Sequence, residues 1–161
     1  MKIGILGIQG RMGQMIAMAL NSGAYNAQIG AEVGRSGNKE AAFLDCDVMI
    51  DFTTPEAALA HAQIAAQMSK PLVTGTTGFS AAKQEALIKA SRQAPILQSA
   101  NMSLGVNLLL SLVEQAAAKL GPDFDIEISE AHHRNKMDAP SGTALALGAA
   151  AAKGRSAKLE E

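Results

Sequence analysis

The chain opens by alternating short apolar runs with longer stretches whose apolar positions repeat at helical spacing. Lys2–Gly7 suits a brief buried strand, and the stretch after it places Met12, Ile16, Ala19 and Leu20 on one helical face. Gln28–Val33 reads as the second strand and Asp47–Phe52, a continuous apolar run, as the third. Only about a dozen residues separate them, too few for a full crossover unit, so a short helical turn at Lys39–Leu44 is all that fits. Thr54 and Pro55 have the order of a helix cap and a first-turn proline, opening an alanine-rich helix over Pro55–Met68. Pro71–Gly75 is the next strand, Ser80 caps a helix running to Arg92, and Pro95–Gln98 is another strand. Such alternation predicts an α/β fold with a Rossmann-like parallel sheet.

From Leu104 the pattern changes. Val106, Leu109, Leu110, Val113, Ala117 and Leu120 form one helical stripe, which Gly121-Pro122 ends. Asp125–Ser129 alternates charged and apolar residues, the mark of a strand with one wet face. Pro140 then discourages helix before it, Ser141 can cap, and the alanine- and leucine-rich run from Thr143 to Ala152 favours helix. The predicted organisation is a dinucleotide-binding domain over 1–103 and the beginning of an α+β domain over 104–161. One alternating strand and one helix cannot bury a sheet face, so this second domain is expected to be incomplete.

Composition narrows the class. With 161 residues, 48% of them hydrophobic, there is enough chain for one complete domain and part of another. Lysine and arginine total 14 against 15 acids, a net charge of -1 that recruits neither nucleic acid nor an anionic membrane. The N-terminal apolar run is short, glycine-rich and followed by Arg11, unlike a signal peptide, and no uncharged stretch suits a bilayer. A single cysteine, Cys46, allows no intrachain disulfide, which fits the cytoplasm, and its apolar setting predicts a buried, inert thiol. With 3% aromatics and no tryptophan, the core must come from Ile, Leu, Val, Met and Ala.

Candidate chemistry gathers in two places. Gly7-Ile8-Gln9-Gly10-Arg11-Met12-Gly13 departs from the usual G-x-G-x-x-G spacing, with Gln9 where that motif has glycine. A tight strand-to-helix turn without bulky Cβ atoms still lets backbone N–H groups approach a pyrophosphate. At the end of the second strand, where an acid favours NAD and a cation NADP, the residues on offer are Glu32, Gly34 and Arg35, and NADPH should be accepted. Gly75-Thr76-Thr77 and Ser99-Ala100-Asn101-Met102 occupy other carboxyl ends of strands. Ordinary turn chemistry explains them singly, but two polar loops at the ligand edge of an open sheet favour cofactor contact. His61 is expected to be an ordinary surface histidine.

The second place is Glu130–Ala144. It packs His132, His133, Arg134 and Lys136 together, then turns through Asp138-Ala139-Pro140 into Ser141-Gly142-Thr143. Backbone N–H groups of Gly142 and Thr143, at the positive end of a helix, suit a carboxylate, and a small dianionic substrate fits the whole. The plainer reading is a solvated basic loop, but the density of groups favours a site. Adjacent histidines rarely converge on one metal and the only cysteine is far away, so no metal is expected.

These residues resemble the 4-hydroxy-tetrahydrodipicolinate reductase (dihydrodipicolinate reductase) family. Glu130–Ala144 follows that family's E-A-H-H-x-x-K-x-D-A-P-S-G-T-A signature, and Gly7–Gly13, Gly75–Phe79 and Ser99–Ser103 follow its cofactor loops. The resemblance implies NADPH or NADH held by Gly7, Ile8, Gln9, Gly10, Arg11, Met12, Gly34, Arg35, Gly75, Thr76, Thr77, Ser99, Ala100, Asn101 and Met102. It implies a dicarboxylate held by His133, Lys136, Ser141, Gly142 and Thr143, with Lys136 also assisting chemistry. His132 matches the general acid, a fitting role for imidazole, whose ordinary pKa of about 6.5 lies near neutral pH. A cytoplasmic enzyme of lysine and diaminopimelate synthesis, homotetrameric when full length, is the implied whole. The segment between Gly34 and Asp47 is shorter than in many relatives, and the family's ribose-side acid falls on Gly34. Family chains continue well past Glu161, so a fragment is expected. The alternatives are a module that binds NAD(P) without turnover and a subunit that assembles through an exposed half-sheet.

Overall fold

Apolar residues fill the middle of a five-stranded, all-parallel sheet in this computed structural model, which describes residues 1–132, 134 and 139–159. The elements fall into two units, Met1–Ala100 and Asn101–Glu161. In the first unit the order along the chain is β1 (Lys2–Leu6), α1 (Arg11–Asn21), β2 (Gln28–Val33), α2 (Lys39–Asp45) and β3 (Val48–Asp51). There follow α3 (Pro55–Met68), β4 (Leu72–Thr74), α4 (Ala81–Ser91) and β5 (Ile96–Gln98). The sheet order is β2-β1-β3-β4-β5. The chain leaves β1 toward one side and returns to β3 on the other, so a crevice opens beyond the carboxyl ends of β1 and β3.

Small residues let the layers approach closely. On α3, Ala58, Ala62 and Ala65 are all fully buried at helical spacing, with Thr54 capping and Pro55 in the first turn. The fully buried Phe43, Ile5, Leu6, Met49 and Leu72 supply the bulk of the core. Cys46 is buried as expected, and its Sγ takes the space of two missing side chains. A Cβ on Gly30 would lie 2.7 Å from it and one on Gly4 3.1 Å. Burial, then the charge of Asp45, pushes the thiol above its ordinary pKa.

Two expectations need correcting. The inner face of α1 centres on Gly13, which is buried, with Ile16 and Leu20 half-buried, while Met12 is 47% exposed. Close approach of Gly13 to the preceding turn rotates Met12 outward. In the second unit, α5 (Leu104–Leu120) and α6 (Gly142–Gly154) form as predicted, but Asp125–Ser129 is not a strand. A strand needs a ladder partner, and no strand is present among the described residues of this unit. Ile126 and Ile128 remain 46% and 41% exposed. Ser103 caps α5, and Gly154 of α6 crosses α5 so closely that a Cβ there would sit 2.9 Å from Ala117 Cβ. Among the described residues, no helix is long and apolar enough to cross a membrane.

Candidate cofactor cleft and carboxylate seat

The turn after β1 is built by backbone geometry. Gly7 adopts φ +83°, a left-handed conformation that glycine takes without penalty. Its carbonyl accepts from Gly10 N at 2.9 Å, and Gln14 N then donates to Gly10 O at 3.0 Å, starting α1. Gly7 N donates to Val33 O at 2.9 Å, tying the turn to the end of β2. Each of α2 to α6 has a side-chain cap, from Asn38, Thr54, Ser80, Ser103 and Ser141, whereas Gly10 at the start of α1 offers none. The first-turn amides of α1 are therefore unclaimed by a cap and suit an anion.

A cleft of about 640 Å³ opens at this turn, within the size range of small-molecule sites. Gly7, Gln9, Gly10, Gly34 and Arg35 line it, together with five residues that sequence reasoning did not assign, Lys39, Phe52, Thr53, Thr54 and Ala57, and with His61. Gln9 folds over Gly34, whose missing side chain leaves room for it: a Cβ there would be 3.4 Å from Gln9 Nε2. Lys39 donates to Arg35 O at 2.7 Å, which brings a second cation to the end of β2. Of the remaining predicted cofactor residues, Ile8 is half-buried, and Arg11 and Met12 are exposed in the first turn of α1.

His61 is not a surface residue. It is 5% exposed, and its Nδ1 lies 2.6 Å from Oδ2 of Asp51, which is fully buried at the end of β3. The other carboxylate oxygen, Oδ1, accepts from Thr53 N at 2.9 Å, Thr53 Oγ1 at 2.7 Å and Thr76 Oγ1 at 3.0 Å. Thr76 Oγ1 also accepts from Thr53 N at 3.0 Å. One buried carboxylate thus fixes the loop after β3, helix α3 and the loop after β4. The sequence signal was present: His61 falls on the same helical face as Ala58, Ala62 and Ala65.

The polar loops are placed as follows. Gly75 N donates to Asp51 O at 2.9 Å, and the Phe52 ring occupies the space a side chain at Gly75 would need. Thr76 is buried in the Asp51 network and Thr77 is exposed. Ser99 N donates to Thr74 O at 3.1 Å, and Ala100 is exposed. Asn101 Oδ1 accepts from Ser103 N at 2.8 Å, leaving Met102 exposed.

In the second unit Glu130 organises the helix mouth. Its Oε1 accepts from Ser141 N at 2.7 Å and its Oε2 from Ser141 Oγ, while Ser141 Oγ caps Ala144 N at 3.1 Å. Glu130 Oε2 also lies 3.5 Å from His132 Nδ1. The carboxylate therefore brings His132 and the start of α6 together. Gly142 and Thr143 are exposed, and among the described residues a Cβ on Gly142 would meet nothing within 4 Å. His133 and Lys136 lie outside the described residues.

A parallel sheet of this order, with a glycine turn and a cleft at its switch point, defines a Rossmann-like α/β protein. Residues 1–102 match the family model described as dihydrodipicolinate reductase, N-terminus, and residues 105–161 the one described as dihydrodipicolinate reductase, C-terminus. The chain belongs to the dihydrodipicolinate reductase family. It is 47% identical over 167 residues to the 4-hydroxy-tetrahydrodipicolinate reductase of Zymomonas mobilis, covering 99% of this chain and 65% of that one. For the enzyme of the same name from Magnetococcus marinus the identity is 42% over 182 residues, covering 99% and 68%. The chain thus spans between 65% and 68% of the length of these two curated relatives. Among solved structures, dipicolinate-bound dihydrodipicolinate reductase from Paenisporosarcina sp. TG-14 shares the fold. The TM-score is 0.76 at 22% identity, over 99% of this chain and 68% of that one.

Proposed function

We propose that the protein reduces 4-hydroxy-tetrahydrodipicolinate to tetrahydrodipicolinate with NADPH or NADH, in the cytoplasmic synthesis of diaminopimelate and lysine. The observation that carries this reading is Glu130, which holds His132 beside the capped mouth of α6. One carboxylate of the substrate accepts from the open amides of Gly142 and Thr143, stabilised by the helix dipole. When bound, the nicotinamide would supply a hydride to the conjugated ring. His132, steered by Glu130, gives a proton to the neighbouring ring carbon, and water is lost overall. Lys136 and His133 complete the charge around the diacid. Gly7–Met12 take the pyrophosphate, Gly34 and Arg35 the adenosine ribose, and the loops Gly75–Thr77 and Ser99–Met102 the nicotinamide side. Gly34 in place of a ribose-side acid, with Arg35 and Lys39 lining the cleft, supports acceptance of NADPH. The assembled enzyme is a homotetramer.

The test is a titration of the protein with NADPH, followed by nicotinamide fluorescence, with and without pyridine-2,6-dicarboxylate. Tighter cofactor binding in the presence of the diacid is expected. Cofactor binding that the diacid leaves unchanged would assign a binding module without turnover instead. In the active enzyme His132→Gln should lower kcat on the order of 10²–10⁴-fold with a smaller effect on KM. An unchanged kcat would assign the proton to another group.

A further inference from the structure

The Asp51–His61 pair has no part in the scheme above, yet it is the most thoroughly buried ionisable pair described in the first unit. We propose that His61 is a further binding residue for the adenosine half of the dinucleotide and that Asp51 is the positioning residue behind it. This rests on the reading of the cleft as a dinucleotide seat.

The hydrogen bonding assigns the roles. Thr76 Oγ1 accepts from Thr53 N and so has its proton free to give to Asp51 Oδ1, which also takes both donors of Thr53. A carboxylate in that position acts as acceptor only, so His61 Nδ1 carries the hydrogen directed at Oδ2. Nε2 is then left for another partner, and none from the protein is found among the described residues. His61 nevertheless lines the cleft while only 5% exposed. A ring nitrogen without a protein partner at the wall of a cleft suits a ligand that offers it a hydrogen bond.

The cleft itself selects the ligand's end. Gly34, Arg35 and Lys39, at the close of β2, line the same cavity as Ala57 and His61 of α3, whereas Gly75, Thr76 and Thr77 do not. The end of the second strand is where such folds receive the adenosine ribose. Ribose hydroxyls are available there, and because they both donate and accept they satisfy Nε2 in either role.

A purely structural pair would staple α3 to β3 and nothing more, so the test separates the two ring nitrogens. His61→Asn keeps an N–H donor near Nδ1 for Asp51 and deletes Nε2. Binding of ADP-ribose and of reduced nicotinamide mononucleotide is measured by calorimetry, alongside the melting temperature. We expect His61→Asn to weaken ADP-ribose binding by about three- to tenfold, to leave the mononucleotide unaffected and to shift melting little. Asp51→Asn should weaken ADP-ribose in the same direction by releasing the ring. If it fails to fold, His61→Asn decides alone. ADP-ribose affinity unchanged in His61→Asn would overturn the inference while leaving the dinucleotide seat intact. Failure of the unsubstituted protein to bind either ADP-ribose or NADPH would overturn both.

Discussion

Substituting Gly13 by alanine probes the cofactor turn at its tightest point. The added Cβ would sit 2.7 Å from Ile8 Cα and 2.9 Å from the carbonyl carbon of Gly7, closer still to Gly7 O. All three are backbone atoms, so no side chain can swing away. Restoring a carbon–carbon separation of about 3.5 Å demands that α1 withdraw by roughly 0.8 Å from the turn. Overpacking of this kind costs about 1–3 kcal/mol, against a helix-propensity gain of at most about 1 kcal/mol. The net loss, about 1–2 kcal/mol, should lower the melting temperature by roughly 4–15 °C in a unit of this size. Affinity should suffer separately, because the same withdrawal moves the first-turn amides off the anion. Hydrogen bonds to a charged group contribute about 1.5–3 kcal/mol each, so losing one raises the Kd for NADPH roughly 10- to 100-fold. Gly23→Ala is the control. Gly23 has φ +73° with nothing among the described residues within 4 Å of a Cβ, so strain should cost stability without touching affinity. Isothermal titration with thermal unfolding reads both variants. Gly13→Ala with unchanged NADPH affinity and unchanged melting would refute the reasoning.

Three other outcomes are expected. Ser141→Ala removes the cap on Ala144 and the hydroxyl that donates to Glu130 Oε2, which should destabilise the second unit by about 1–2 kcal/mol and weaken dicarboxylate binding, read by urea unfolding and titration. Lys39→Gln should raise the Kd for NADPH several-fold and leave that for NADH unchanged, and equal effects on both would remove Lys39 from the 2′-phosphate. The Cys46 thiol is raised above its ordinary value of 9.0 chiefly by burial, so its contribution to stability is complete below that pH. It is lost as pH rises toward the native value, by about 1.4 kcal/mol per unit. Unfolding free energy should therefore fall above pH 9 in the parent and less steeply in Cys46→Ala.

The pattern of apolar runs and caps located the five strands and six helices of the described residues because each carries its own local signal. Thr54-Pro55 and Ser80 mark helix starts that the structure reproduces at Pro55 and Ala81. The strand expected at Asp125–Ser129 fails for a non-local reason, since period-two alternation says nothing about whether a partner strand is at hand. His61 was misread for a related reason. Its place on the alanine face of α3 was visible, but its partner Asp51 comes from a strand, and their pairing follows only from how α3 packs on β3. Lys39 and Ala57 reached the cleft in the same way, through the fold of the chain rather than through any motif. Glu130 stood inside the recognised signature without a role until its contacts with Ser141 and His132 supplied one.

The central claim is that the turn between β1 and α1 is the seat of a nicotinamide dinucleotide. Amide chemical-shift mapping of the isotopically labelled protein during titration with NADPH addresses it residue by residue. The expected result is saturable shifts concentrated at Gln9, Gly10, Arg11 and Met12, with further shifts at Gly34 and Arg35. Shifts that bypass this turn, or none at saturating cofactor, would contradict it.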